Sequence, residues 1–215
     1  MSESPEADRL RQLLDPGCSA VLLQELQEGV VGPSSGLQAL ATAVEDVELI
    51  AAVKAVTSAA RQAGVPVIHC TAENLDGDFG VNTNARIFAA AKKNGMKNRA
   101  GSTSVQPMPE IHEPGDLVLP RYHGLSPMTG TPLASLLRNQ SISTLVVLGV
   151  SLNLAIPNLV FDAVNRSFNV VLIRDGVVGV PIEYGEMVLD HSLSLVSSVV
   201  TSTQVEAIWR EFDGS

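Results

Sequence analysis

Cysteine is nearly missing: Cys18 and Cys70 are the only two in 215 residues, too few for a disulfide framework or a thiolate metal cage. The four histidines are scattered and make no ligand motif, so neither a metal nor another cofactor is expected. Charge is scarce as well. With 17% charged and 45% hydrophobic residues, the chain lies far from the composition of a disordered segment. It also offers less charged surface than a free monomer usually carries, so part of that surface is expected to be covered by further copies in a homodimer or higher homo-oligomer. Positive charge is the scarcer sign. Lys and Arg number 14 against 23 Asp and Glu, a net charge of −9, which repels phosphate backbones and anionic membranes. Nucleic acid and membrane are therefore not expected as partners, and a small-molecule ligand is.

A signal peptide is not expected either, because MSESPEADRLRQLLDPG mixes charge and Pro with no apolar centre. The longest uncharged stretch runs from Asn139 to Phe161, and its more apolar part, Thr144 to Phe161, contains Ser151, Asn153, Pro157 and Asn158 and splits into two periodicities. It reads as a buried strand followed by a helix, not as a membrane span. A cytoplasmic location is expected. The length suits one α/β domain over 18–215, preceded by a short extension or helix over 1–17.

What is present is a set of short Val-, Ile- and Leu-rich runs at Ala20–Gln24, Pro66–Cys70, Leu117–Arg121, Thr144–Val150 and Asn169–Arg174, with a weaker one at Ser198–Thr201. Continuous apolar runs suit strands covered on both faces, as in a parallel sheet. Between the first two, Val47, Ile50, Val53, Val56 and Ala60 recur at helical spacing, predicting one helix over Val44–Ala63 that Gly64-Val65-Pro66 stops. Further helices are predicted at Thr83–Asn94, Pro132–Asn139, Leu154–Asn165, Glu186–Leu195 and Thr203–Glu211. Alternation of strand and helix predicts a three-layer αβα, Rossmann-like fold with a mostly parallel sheet of about six strands and right-handed crossovers.

Gly95 to Pro114 has no periodicity and reads as a long surface loop, either a lid or partner-contact arm or an ordered excursion. Ligands of open parallel sheets bind beyond the carboxyl ends of the strands. The residues to inspect are then Glu25 and Gln27, His69 to Asn74, Arg121 to His123, Ser151 to Ala155, and Asp175. Asp175-Gly176 reads as a turn.

Four blocks at these strand ends, AVLLQELQEGVVG, AGVPVIHC, GLSPMTGTPLASLLR and STLVVLGVSLNLAIPNLVFDAVNRSFNVVLIRDGV, together resemble the isochorismatase-like hydrolase superfamily. The likeness runs from about Ser19 to Trp209, with the blocks in the family's order. It implies the isochorismatase-like fold and self-association. The family's cysteine hydrolases use an Asp after the first strand, a Lys after the third run, and a Cys opening the helix after G-V-x-T-x-x-C. Here the resemblance puts Glu25, Arg121 and Ala155 at those positions. An alanine cannot attack a carbonyl, so a thiolate mechanism at Ala155 is excluded. Three coordinated departures mark a natural branch rather than a single replacement. Where nicotinamidases carry a D-x-H metal motif this chain reads HCTAEN, which agrees with the expectation of no metal.

Isochorismatases supply a precedent for chemistry without cysteine, since an acid can protonate the vinyl carbon of an enol ether before water adds. On that reading Glu25 is the general acid, if its surroundings keep it protonated. Arg121 is then the clamp for a substrate carboxylate, gripping it at two points through a guanidinium that does not give up its proton. Gln27, Tyr122, His123, Ser151, Asn153 and Leu154 are the candidate substrate-binding residues. Asn153 would cap the helix beginning here, whose N-terminal N–H groups favour an anion, and the family's non-proline cis peptide would fall near Val150-Ser151. The alternative is a non-catalytic member of the fold, a ligand-binding or subunit-interaction protein in which Glu25 and Arg121 form a structural ion pair. A catalytic role for Cys70 is the remaining option, against which stands the common fate of cysteine as a buried structural thiol.

Overall fold

The structure, a computed structural model, describes residues 4–95 and 98–212. Its elements run α1 (Pro5–Leu13), β1 (Ser19–Gln24), α2 (Glu28–Val31), α3 (Gln38–Asp46), α4 (Leu49–Gln62), β2 (Val67–Ala72), α5 (Arg86–Lys93), β3 (Leu117–Arg121), α6 (Leu133–Asn139), β4 (Thr144–Val150), α7 (Ala155–Asn165), β5 (Asn169–Val178), α8 (Ile182–His191), β6 (Ser198–Val200) and α9 (Ser202–Arg210). The strands form one six-stranded sheet in the order β3-β2-β1-β4-β5-β6, every pair parallel. The order in which strands are added reverses between β1 and β4, and the crevice at such a switch point is where an open sheet receives its ligand.

Every residue of β1 and of β4 is buried, as continuous apolar runs require. Alternate side chains serve opposite layers. Val21 and Leu23 join a core with Leu49, Val53 and Val56 of α4 and Val205 and Trp209 of α9. Ala20 and Leu22 join another with Leu133 and Leu137 of α6, Ile156 and Leu159 of α7, and Leu189 of α8. The N-terminal helix is fastened to the first of these layers: Leu14, just after α1, is fully buried, and its carbonyl accepts a hydrogen bond from Trp209 Nε1 at 2.8 Å. Among the described residues no helix is long and apolar enough to cross a membrane.

Three sequence expectations need correction. The helix expected over Val44–Ala63 is broken at Glu48, whose φ of 51° is left-handed. Val44 and Leu49 are both buried, yet five residues of continuous helix turn through about 140°, so a straight helix could not point both inward. The helix expected over Glu186–Leu195 begins earlier, at Ile182 after Pro181, and ends at His191, with a 3-10 turn at Leu193–Leu195. Asp175-Gly176 is not a turn but lies inside β5, which runs on to Val178. A β-carbon on Gly176 would stand 2.6 Å from Leu148 Cδ2, so close packing demands the glycine. Asp175 meanwhile accepts hydrogen bonds from the backbone N–H and the hydroxyl of Ser202 at the start of α9.

Away from the strand tips, Arg61 near the end of α4 donates to Asp116 Oδ1 at 3.1 Å and Oδ2 at 2.7 Å and to Glu113 Oε1 at 3.0 Å. His69, on β2, lies with Nε2 3.0 Å from Asp116 Oδ2. Burial pushes the His69 imidazole down from its ordinary 6.5, against the pull of Asp116. Burial pushes the Asp116 carboxyl up, but Arg61, the Glu113 N–H and His69 outweigh it and hold the group below its usual range. The folded protein thus keeps His69 neutral where the unfolded chain protonates it, so unfolding takes up a proton below about pH 6.5. Asp116 acts in the same direction at lower pH, its stabilisation being lost only as pH falls below the ordinary carboxylate range. The melting temperature is expected to fall between pH 7 and pH 5, and to fall less in His69→Gln; parallel curves for the two proteins would show that His69 does not carry the effect.

Candidate functional site

Beyond Gln24 the chain leaves β1 in a left-handed conformation at Glu25, with φ 55°. Two close contacts fix that exit. The Glu25 N–H donates to Cys70 O on β2 at 3.0 Å. On the other side Gly149 of β4, with φ +119°, comes so near that a β-carbon there would stand 2.2 Å from Gln24 O. Arg121, the last residue of β3, reaches across the end of β2, and its Nη2 donates to Glu25 Oε1 at 2.5 Å. Gln24 Nε2 donates to the same oxygen at 3.0 Å and to Leu125 O at 3.3 Å, while Arg121 Nε donates to Gly124 O at 2.8 Å. Side-chain exposure is 5% for Arg121 and 16% for Glu25.

Three atoms of this cluster are uncommitted. Glu25 Oε2 makes no hydrogen bond among the described residues. Among the described residues Arg121 Nη1 is buried without a partner, as is Gln24 Oε1. A buried guanidinium N–H left unpaired is costly, and an oxygen acceptor is what it lacks. Both Glu25 and Arg121 line a cavity of about 270 Å³ over the ends of β1, β2 and β3, together with Glu73, Tyr122 and His123. Its outer wall is α5, which has no buried residue of its own. Ile87 and Phe88 of that helix face the cavity, and the Phe88 and His123 rings lie 5.0 Å apart.

The resemblance-based triad is therefore brought together only in part. Glu25 and Arg121 touch. Ala155, at the first turn of α7, is buried and is not among the residues walling the cavity, because α7 springs from β4, on the far side of β1. The Val150–Ser151 peptide is cis as expected. Gln27, Ser151, Asn153 and Leu154, expected at the substrate, are likewise not in the cavity wall. Gln27 is fully buried and already committed: its Nε2 donates to Ala72 O and Ser104 O, each at 3.1 Å, and its Oε1 accepts from Ala72 N at 2.7 Å. Asn153 does not cap α7. Its amide pairs with the backbone of Val180, donating to the carbonyl at 2.6 Å and accepting from the N–H at 2.7 Å.

The segment after α5 is an ordered brace over its described residues. Met108 N donates to Leu26 O at 3.0 Å and Ala100 N to Asn74 O at 2.9 Å, which anchors the strand-end turns from outside. Cys70 lies beneath the cluster with 1% exposure. Burial pushes its thiol up to about 12, with Arg121 opposing and Glu25 reinforcing, so it is neither accessible nor a thiolate at neutral pH. Cys18 precedes β1, at the other end of the strand. Among the described residues no group of three His, Cys, Asp or Glu side chains is placed to hold a metal ion. Gln24 escaped the sequence reading. The available signal was an amide ending an otherwise apolar buried run, which needs a polar partner.

A family model described as "Isochorismatase domain" matches residues 19–204. No curated protein matches. Among solved structures, a cysteine hydrolase from Pseudomonas syringae pv. phaseolicola 1448A superposes with a TM-score of 0.74 at 18% identity, over 92% of this chain and 94% of that one. N-carbamoylsarcosine amidase from Thermoplasma acidophilum gives 0.67 at 19% identity, covering 86% and 96%. Pyrazinamidase of Pyrococcus horikoshii, in complex with zinc, gives 0.67 at 18%, covering 85% and 98%. At such identities the likeness is one of fold.

Proposed function

The chain belongs to the isochorismatase family, and from that premise we propose that it is a hydrolase acting on a small carboxylate-bearing molecule by acid catalysis that needs no cysteine. Glu25 is the general acid, delivering its proton through Oε2. Arg121 clamps the substrate carboxylate, and Tyr122 and His123 line the site. Ala155 stands at the family's nucleophile position, where it offers no nucleophile, and lies outside the wall of this cavity. The observation that carries the reading is a buried Arg121 whose Nη1 has no partner among the described residues, paired with Glu25, the two residues lining one cavity. A substrate carboxylate that engages Arg121 competes with Glu25 for the guanidinium. The thiol chemistry named for the Pseudomonas neighbour is not carried over, since neither cysteine lines this cavity.

A second reading, a ligand-binding member of the family without chemistry, is favoured by the direct Glu25–Arg121 ion pair. In either case we propose self-association through the α7–α8 layer, where Phe161, Tyr184 and Met187 are exposed at 43%, 49% and 59%.

The two readings separate on a panel of isochorismate-like enol ethers and small amides. Turnover of enol ethers but not amides is expected. Arg121→Lys keeps the charge but loses the two-point grip, and a charge-assisted hydrogen bond worth about 1.5–3 kcal/mol corresponds to a roughly 10- to 100-fold rise in KM. No turnover by the wild type, with a melting temperature that benzoate still raises, would leave the binding reading alone standing. No turnover and no response to benzoate would remove both.

A further inference from the structure

We propose that Glu73 is a second catalytic carboxylate of this site, the general base that takes the proton from the attacking water. The inference rests on the acid-catalysed reading above. Protonation and water addition occur at adjacent carbon atoms of an enol ether, and Glu25 has a single uncommitted oxygen, which the first step occupies. A second carboxylate beside the adjacent carbon would take the proton of the water that adds there. Glu73 is on the same cavity as Glu25 and Arg121, one residue beyond the end of β2.

Its place is fixed on both sides. The Glu73 N–H donates to the carbonyl of Arg121 at 2.9 Å, and the next residue, Asn74, donates from its N–H to Asn98 O at 2.6 Å and accepts from Ala100 N at 2.9 Å. The side chain is oriented by Thr71, whose buried hydroxyl donates to Glu73 Oε1 at 2.8 Å. Glu73 Oε2 makes no hydrogen bond among the described residues, so each carboxylate keeps one oxygen held and one available. Arg121 links the two: its backbone carbonyl holds Glu73 and its side chain holds Glu25. The other candidate base, His123, has its ring against Phe88 on the outer wall.

The step balances as follows. Glu25 gives its proton to the terminal carbon of the enol ether, the double-bond pair forms the new C–H bond, and the adjacent carbon becomes an oxocarbenium ion. Water adds to that carbon while Glu73 accepts one of its protons, giving a neutral hemiketal. The hemiketal then breaks its bond to the alkoxy oxygen, which takes up the proton held by Glu73 as the hydroxyl proton is returned through solvent to Glu25. The sum is enol ether plus water giving ketone plus alcohol, with both carboxyl groups restored.

Glu73→Gln keeps the Thr71 contact but cannot accept a proton. With an isochorismate-like enol ether in D2O, it is expected to hydrolyse about 100-fold more slowly than the wild type. Reversible protonation by Glu25 persists in this variant, so deuterium should enter the vinyl methylene of the unreacted ether. Glu25→Gln is expected to lose hydrolysis and exchange together. Hydrolysis by Glu73→Gln within about twofold of the wild-type rate would overturn the proposal while leaving Glu25 as the acid. So would a Glu73→Gln protein, folded by circular dichroism, that loses exchange along with hydrolysis, because that is the mark of a structural role. No hydrolysis and no exchange by the wild type would overturn the acid-catalysed reading and this inference with it.

Discussion

Glu25→Gln is expected to lower turnover of an isochorismate-like enol ether by about 10²- to 10⁴-fold, the usual contribution of a positioned general acid, and to cost stability as well, because the buried Arg121 guanidinium loses its anion. The glutamine carbonyl can take the place of Glu25 Oε1, accepting from Arg121 Nη2 and from Gln24 Nε2, so the strand ends keep their connections. What disappears is the oxygen proposed to deliver the proton. Arg121 loses its anionic partner in the variant and is left with a greater attraction for an external anion. The affinity for a carboxylate ligand such as benzoate should therefore be retained or increased while chemistry stops. Steady-state kinetics together with calorimetric binding on the same protein checks both halves. An unchanged rate would remove Glu25 from the acid's role, and a parallel loss of binding would mean that the carboxylate supports the pocket rather than the reaction.

Trp209→Ala is expected to cost about 3–5 kcal/mol of stability, the range for truncating a large buried aromatic side chain. Trp209 is fully buried in the layer that α4 and α9 form over the sheet. Its removal opens a cavity there and also leaves the carbonyl of Leu14 without the 2.8 Å hydrogen bond that holds the N-terminal segment. Trp209→Phe separates the two contributions, since it keeps most of the apolar volume and loses the N–H; the cost of one lost hydrogen bond to a buried carbonyl is about 1–3 kcal/mol. Urea unfolding followed by circular dichroism measures both. Equal losses in the two variants would assign the effect to the hydrogen bond alone.

Much of this architecture is legible in the chain because the forces behind it are local or periodic. The uncharged stretch from Thr144 to Phe161 resolves into β4 and the start of α7, since a β-branched run passes into spacing that only a helix can bury on one face. Features misread from sequence depend on distant partners. Asp175-Gly176 carries a turn signal, yet the glycine serves the packing of Leu148 and the aspartate serves Ser202, neither of which is nearby in sequence. Val44 to Ala63 has an unbroken helical pattern, and only the position of the core shows that Val44 and Leu49 must both turn inward.

The site divides in the same way. Glu25 and Arg121 are readable as strand-end residues, because a parallel sheet brings all its carboxyl ends to one edge. Their direct contact and the role of Gln24 depend on side chains crossing the end of β2, which no spacing rule encodes. The turn from Ser151 to Ala155 was expected to face the ligand through its place in the family pattern. The cavity is instead displaced toward β2 and β3 and walled on the outside by α5.

The central claim, hydrolysis by carboxylic acids without a thiol, is tested most directly by measuring turnover of an isochorismate-like enol ether by a protein from which both cysteines have been removed, Cys18→Ser with Cys70→Ala. The account predicts a kcat within about twofold of the wild type, since a general acid's contribution of 10² or more stays in place with Glu25. Turnover that disappears in the folded cysteine-free protein would contradict it.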